Sequence, residues 1–512
     1  MRSKAFFFNS VCALISYAVL FLGPLIVSPF LKFFLGSEIL GIQKTFQDTV
    51  ALISIVELGI SYGVIYKLYK PIAEKDNNKI AVLLKFYRSA FKLVSLAIAF
   101  LGLITSFIMP KIITGKYHSK VLNDSFLSFV FLIYVLDSLL TYLFGHKRIM
   151  LIADQKNYIA TICRTVCQVI MFFMQIVVIF LFKSFLMYSL LRPVFTFLES
   201  LLINYEFRKK YKYINLKVKE KLGKDEKKDL VKTLSALFYH RVGAQSIISG
   251  STLILVHKLG EKLTGIYYPY VLITNGVVSA TNQVFNAILS SFGNYLAKHS
   301  REETYFLYKK VFFFNYLLFS FLSIAFFCVI SPFMRIWMGN DSVFNTFTIF
   351  LITLNFYFSG IRHSIFMVKA SVGLYRQDRF LALLEAFINL FFSYIFSSTF
   401  GINGILFASL ISTILVPMWA HPYLVYKNVF RCPVKKYYEK FILYFLITLI
   451  VGTISFKICS YTSKLNNFLQ IFLNLVICTI IAVIVNFMLF RNSDEMKYMF
   501  RISKSILSKF KN

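Results

Sequence analysis

Residues 158–182 read YIATICRTVCQVIMFFMQIVVIFLF, an apolar run with one charge in it, Arg164. A helix needs about 20 predominantly apolar residues to cross the hydrocarbon core of a bilayer. This stretch is long enough to span. An ionisable group inside such a span is expensive and usually faces a wet interior, so Arg164 is the first candidate for function.

The rest of the chain repeats this pattern. Its 512 residues are 58% hydrophobic and 18% aromatic, and only 15% are charged. Soluble domains run at about 45–50% apolar and about 25% charged. That excludes a water-soluble fold, and the same apolar content excludes disorder. Applied along the chain, the spanning length picks out about fourteen candidates. They lie near 6–31, 42–66, 80–109, 125–144, 158–182, 185–205, 234–256, 265–292, 305–333, 343–368, 380–400, 402–426, 441–458 and 468–490. The expected fold is an all-α membrane protein. The apolar run after Met1-Arg2-Ser3-Lys4 is too long for a signal peptide and reads as a retained first span.

Charge sets the expected orientation. Lys and Arg number 56 against 23 Asp and Glu, a formal net charge of +33. The bases fall between the apolar runs and form no continuous basic domain, so nucleic acid is not an expected partner. They concentrate in alternate connections: Lys67, Lys70, Lys75 and Lys79; Lys147, Arg148 and Lys156; a lysine-rich segment over 207–233; Lys427, Arg431, Lys435, Lys436 and Lys440; and the tail after 490. Basic loops stay in the cytoplasm, so both termini are expected there.

An internal repeat suggests the organisation. Leu35-Gly36, four residues, then Gly41-Ile42 is matched by Leu259-Gly260, four residues, then Gly265-Ile266. The same offset pairs Asp154 with Asp378. Each pair precedes or follows equivalent spans, which predicts two pseudo-symmetric lobes of six helices with a cavity where they meet. The predicted boundaries are 1–206 for the first lobe, 207–233 for a basic cytoplasmic linker and 234–430 for the second lobe. Two extra helices follow over 431–490, then a basic amphipathic tail over 491–512. In that tail Met499, Ile502, Ile506 and Phe510 recur at helical spacing, as in a helix lying on an anionic inner leaflet.

Catalytic motifs are missing. There is no phosphate-binding Gly-x-x-x-x-Gly-Lys-Ser/Thr loop, no His-Glu-x-x-His and no Gly-x-Ser-x-Gly. The seven histidines have no metal-ligand spacing, and the seven cysteines are scattered through apolar runs as small buried side chains would be. No enzyme activity, catalytic residue, metal or cofactor is expected.

Charges inside the spans are then the informative residues. Arg164, Arg241 and Arg362 lie at similar depth in the fifth, seventh and tenth spans. Together they would make a cationic chamber suited to a diphosphate, because guanidinium groups bind phosphate oxygens bidentately. Snorkelling to the headgroups is the competing reading for each of them. Lys44 and Arg192 lie toward the outer side, where they would receive the same anion later. Among the acids, Glu57, Asp137 and Glu385 are placed to pair with arginines or to carry H⁺ or Na⁺ in a coupled cycle. Asn282 and Asn286 are candidates for sugar hydroxyls, or for hydrogen bonds between helices.

Several segments together resemble a family. They are Phe34-Leu35-Gly36 with Gly41; Glu57-Leu58-Gly59-Ile60; Ile152-Ala153-Asp154-Gln155-Lys156-Asn157-Tyr158; and Pro332-Phe333 with Trp337-Met338-Gly339. The fullest is Gly373-Leu374-Tyr375 with Asp378, Glu385, Asn389 and Ser393, followed by Gly401-Ile402-Asn403-Gly404. In this order they resemble polysaccharide repeat-unit (Wzx-type) flippases of the multidrug/oligosaccharidyl-lipid/polysaccharide exporter superfamily. The resemblance implies two lobes in an inverted V. It also implies a lipid-linked oligosaccharide on undecaprenyl diphosphate, turned from the inner to the outer leaflet of the bacterial cytoplasmic membrane. Membrane lipids, a polysaccharide polymerase and glycosyltransferases are the partners that go with that role. Relatives often carry an acid or amide in the seventh span, where this chain reads Ser249-Gly250-Ser251-Thr252-Leu253. Three alternatives stand beside this reading: a peptidoglycan-precursor or teichoic/teichuronic acid flippase, a drug exporter with an acidic cavity, and a membrane polymerase or ligase with a large outward loop.

Overall fold

The computed structural model describes residues 2–57, 60–113, 122–215, 218, 220, 222–374 and 377–511. Side chains are not described at 2–7, 56–57, 60–64, 143–144, 224–225, 227–238, 502–503, 505–507 and 509–511. All regular structure among the described residues is helical. Backbone polar groups in lipid have no water to bond, and the helix satisfies them within one segment.

The chain divides into two compact units, 1–272 and 273–512. The first contains α1 (Arg2–Leu35), α2 (Ser37–Ile53), α3 (Ile60–Glu74), α4 (Asn77–Ile113), α5 (Asp124–Ala153), α6 (Asn157–Phe182), α7 (Phe185–Lys210) and α8 (Lys224–Leu259). It ends inside α9 (Glu261–Lys298). Within this unit α4 packs on α5, α1 on α6, α7 on both α5 and α6, and α2 on α8. Leu93, Leu96, Phe100, Leu103 and Phe107 of α4 are exposed at helical spacing, an apolar stripe that belongs against acyl chains.

The second unit holds the rest of α9 and then α10 (Arg301–Met338), α11 (Thr346–Ile361), α12 (His363–Ser371), α13 (Leu381–Phe400), α14 (Ile402–Leu415), α15 (Pro417–Val425), α16 (Lys435–Ser460), α17 (Asn467–Phe490) and α18 (Asp494–Lys511). Here α10 is the axis, packed against α11, α16 and α17. Polar side chains pin the last two long helices to it. The Tyr316 hydroxyl donates to Asn486 (2.6 Å), the Asn474 amide donates to the Cys328 carbonyl (2.8 Å), and Thr448 donates to Ser320 (3.0 Å).

Eleven helical segments of the described residues are long and apolar enough to cross a membrane, α11 with α12 and α14 with α15 each counting as one. The chain is therefore an all-α, multi-pass membrane protein. Three of the fourteen expected spans take different forms, and two of the eleven are broken inside. The second is α2 and α3, interrupted by a 3-10 turn over Ser54–Glu57. The seventh and eighth are α8 and α9, long but rich in polar residues; α8 starts at Lys224, inside the stretch read as linker. The tenth breaks at Arg362, where Asn315 of α10 donates to the Gly360 and Ile361 carbonyls (3.3 and 2.7 Å). The twelfth breaks at Val416, before Pro417, which lacks an N–H to continue the helix. Two very short connections do end helices. Lys183 adopts a left-handed conformation (φ 46°), after which Ser184 caps α7, and Gly401 (φ 58°) separates α13 from α14.

The repeated glycines have a shared structural task. Gly36 and Gly260 end α1 and α8 with φ of 95° and 89°, a backbone region that side chains disfavour. Gly41 and Gly265 then sit where α2 crosses the start of α9 at backbone contact.

Candidate functional site

Three helices of the first unit carry polar stripes at helical spacing. On α5 these are Asp137, Thr141 and Arg148; on α6, Arg164, Gln168 and Gln175; on α7, Arg192, Thr196 and Glu199. Residues three, four, seven or eleven apart share a helix face, so each stripe points one way. All nine line a single cavity of about 870 Å³ built entirely from the first unit. That is the size of a site for a substantial organic ligand. Gln43 and Gln47 of α2, Arg241 of α8 and Tyr268 of α9 complete its polar wall. Leu20, Pro24 and Val27 of α1 with Phe172 of α6 supply an apolar side.

Arginines outnumber carboxylates on the cavity wall. Four arginines face two carboxylates. Asp137 holds Arg192 (3.5 Å) and accepts from the Thr196 hydroxyl (2.5 Å), while the Arg192 guanidinium also lies 5.1 Å from the Tyr134 ring centroid. Glu199 holds Arg148 (3.3 Å). These pairs fix two guanidinium groups in place. Arg164 makes no ion pair among the described residues, and its charge acts on both Glu199 and Arg148. Gln43 donates to the Tyr188 hydroxyl (2.8 Å), and its buried Oε1 accepts nothing among the described residues. It is an acceptor suited to a ligand hydroxyl.

The residues expected from sequence fall into two groups. Arg164, Arg192, Arg241 and Asp137 meet on this cavity. Lys44 instead joins the seam between α2 and α8. It bonds Asp48 (2.5 Å) and lies 5.6 Å from the Tyr268 ring, and Asp48 in turn accepts from Thr252 (2.6 Å) while its carbonyl accepts from Ser249 (2.7 Å). The Ser249–Leu253 stretch, which has no acid of its own, thus receives one from α2. Arg362, Glu385, Asn282 and Asn286 belong to the second unit. There Arg362 is ion-paired with Glu385 (3.6 Å), and Asn282 and Asn286 lie on α9, half-buried and exposed. The side chain of Glu57 lies outside the described residues.

Sequence reasoning missed Arg148 and the glutamines as wall residues. Arg148 reads as a loop base beside Lys147, but α5 continues to Ala153 and carries it into the cavity wall. The signal was present as polar periodicity: each stripe repeats at three- and four-residue steps inside an otherwise apolar run. Among the described residues, the group of metal-ligating type is Cys328, Cys459 and Cys478, in the second unit.

No protein-family model matches the sequence, and no curated protein sequence matches it. Solved structures do match the fold. A lipid II flippase MurJ in an inward closed conformation aligns with a TM-score of 0.62 at 15% identity, over 94% of this chain and 98% of that one. An inward-facing multidrug resistance MATE family transporter of the MOP superfamily aligns with a TM-score of 0.62 at 14% identity, over 81% of this chain and 97% of that one. A Vibrio cholerae MATE transporter aligns with a TM-score of 0.51 at 12% identity, over 84% of this chain and 97% of that one. The chain therefore has the fold shared by the MurJ flippase and the MATE transporters.

Proposed function

We propose that this protein is a flippase for oligosaccharide repeat units carried on undecaprenyl diphosphate, working by alternating access in a bacterial cytoplasmic membrane for cell-surface polysaccharide synthesis. The observation that carries the reading is the arginine-rich cavity of the first unit, four guanidinium groups against two carboxylates. A diphosphate offers several anionic oxygens, and guanidinium groups bind such oxygens in parallel pairs. Arg164 and Arg241 take the diphosphate. Arg148 and Arg192, held by Glu199 and Asp137, keep the surrounding potential positive. Gln43, Gln47, Gln168 and Gln175 bond the sugar hydroxyls, and the isoprenoid tail stays in lipid. A drug exporter for cations would need the opposite balance, an acidic cavity.

The test is binding to purified protein in detergent. Undecaprenyl-diphosphate oligosaccharide should bind and should compete with undecaprenyl diphosphate itself, while a lipophilic cation should not. Binding of the cation alone would overturn the reading.

A second reading has its own support. The likeness to the MurJ structure extends over 94% of this chain, against 81% and 84% for the two MATE structures. A lipid II substrate uses the same diphosphate chemistry with a different sugar and a peptide. Parallel flipping assays in proteoliposomes, one with lipid II and one with a polysaccharide repeat unit, separate the two by which lipid crosses faster.

A further inference from the structure

Cys328 of α10, Cys459 of α16 and Cys478 of α17 come from distant parts of the chain and are all buried. Their sulfurs all lie within 4.8 Å of one another. Three sulfurs bound at ~2.3 Å to one ion in a trigonal plane stand about 4.0 Å apart. From the observed spacing, each sulfur would move inward by at most about 0.5 Å to reach a common ion at that bond length. Rotamer and helix adjustments cover such a shift.

A hydrogen-bonded frame links the backbones of two of the three cysteines. The Asn474 amide on α17 donates to the carbonyl of Cys328 itself (2.8 Å). Its carbonyl oxygen and the carbonyl of Cys459 each lie 2.7 Å from the Thr462 hydroxyl, whose one proton they share. Two of the three ligand backbones are thus fixed by one amide and one hydroxyl. Supporting bonds of this kind orient metal ligands in built sites.

We propose that Cys328, Cys459 and Cys478 form a three-thiol site for a soft, thiophilic ion, Cu(I), which staples α16 and α17 to α10. The ligand set decides the ion. Thiolates select soft d¹⁰ ions, and Zn(II) calls for a fourth ligand. Among the described residues, no fourth His, Cys, Asp or Glu joins the group. Cu(I) accepts three-coordination, and one thiolate with two neutral thiols already neutralises its single charge. Each thiol that becomes a thiolate releases one proton to the medium, so binding weakens as pH falls. This site is independent of the cavity in the first unit.

The experiment is an anaerobic Cu(I) titration of the reduced full chain in detergent, against the chromophoric chelator bicinchoninate. One equivalent should be withdrawn from the chelator. The variant with Cys12, Cys163, Cys167 and Cys432 all changed to Ser should still withdraw it. Cys328→Ser, Cys459→Ser and Cys478→Ser should each fail to do so. Thermal unfolding should shift upward with Cu(I) in the wild type and not in the three single variants. If a single variant does not fold, alkylation of the wild-type chain with a maleimide during unfolding, read by mass spectrometry, replaces it. Cu(I) should then protect Cys328, Cys459 and Cys478 and leave the other four reactive. No uptake by the wild type, uptake that survives loss of these three thiols, or tighter binding of Zn(II) than of Cu(I) would each overturn the proposal.

Discussion

Gly41 and Gly265 meet backbone to backbone. A methyl group on Gly41 would lie 1.9 Å from the Glu261 carbonyl oxygen and 2.8 Å from the Gly265 nitrogen. A methyl group on Gly265 would lie 1.8 Å from the Ser37 carbonyl oxygen and 3.0 Å from the Gly41 nitrogen. The contact is reciprocal, as expected when two copies of one motif pack across a local pseudo-twofold axis. Small residues let helix backbones approach this closely in a membrane.

Backbone atoms cannot swing away as a side chain does, so even alanine is too large here. Gly41→Ala or Gly265→Ala should destabilise the protein by about 1–3 kcal/mol or more, the usual range for overpacking. Thermal unfolding in detergent measures this. Gly452→Ala is the control, because a methyl there meets only Ile324 at 3.6 Å, an ordinary contact. Equal melting of all three variants would remove the argument.

A second pair tests buried charge. Lys369 and Asp378 are ion-paired with both side chains fully buried, and His421 Nε2 lies 3.4 Å from Asp378. Removing one partner of a buried pair strands the other and costs about 3–5 kcal/mol, whereas replacing both with apolar side chains is often neutral. Asp378→Asn should therefore lower the unfolding temperature sharply. The double change Lys369→Met with Asp378→Leu should melt close to wild type. Near-equal melting of the single and double variants would show that the pair contributes through specific bonds instead.

What was legible in the sequence follows from what the membrane imposes. Spanning length and apolar content gave the all-helical fold, and the repeated Leu-Gly…Gly-Ile motif marked two helix ends and a backbone crossing. Helix breaks were less legible: the one at Arg362 lies where Asn315 reaches across from α10 to the Gly360 and Ile361 carbonyls, a partner that the pattern of 343–368 does not reveal. In the cavity, a lone charge in an apolar run, such as Arg164, stands out. Arg148 does not, since it lies beside Lys147 near a helix end, and only the continuation of α5 shows which way it faces. Pairings across helices, such as Arg148 with Glu199, depend on packing that spacing along one helix does not encode.

The lysine-rich segment makes contacts through its few acceptors. Lys79 at the start of α4 bonds both carboxylate oxygens of Glu226 (2.7 and 3.0 Å), Asn78 donates to Glu220 (2.8 Å), and Lys85 donates to the Val218 carbonyl. The Lys79 ammonium holds the Glu226 carboxyl below the ordinary carboxylate range. A lowered folded value means the contact is intact above about pH 4.3, the ordinary glutamate pKa, and is lost as pH falls through the lowered value. Exposed pairs contribute about 1 kcal/mol or less and weaken with salt. Spin labels on α4 and near Glu226 should give a narrow distance distribution at neutral pH. The distribution should broaden in acid, in high salt and in Glu226→Gln. A distribution that ignores all three changes would mean that other contacts hold the segment.

Arg164 offers the sharpest test of the cavity. It carries a charge on the wall without an ion pair among the described residues, so a substitution there strands no carboxylate. A hydrogen bond to a charged group is worth about 1.5–3 kcal/mol, which corresponds to roughly 10–150-fold in affinity. Arg164→Gln should weaken binding of an undecaprenyl-diphosphate oligosaccharide by that factor and leave thermal unfolding nearly unchanged. Arg164→Lys keeps the charge and loses the planar fork, so it should recover only part of the affinity. Arg148→Gln should behave differently: it leaves Glu199 unpaired in the wall, and stability should fall together with binding. Calorimetric titration and melting, run on all three variants, check the split. Equal losses of stability for Arg164→Gln and Arg148→Gln would show that Arg164 holds the helices together and is not reserved for a ligand.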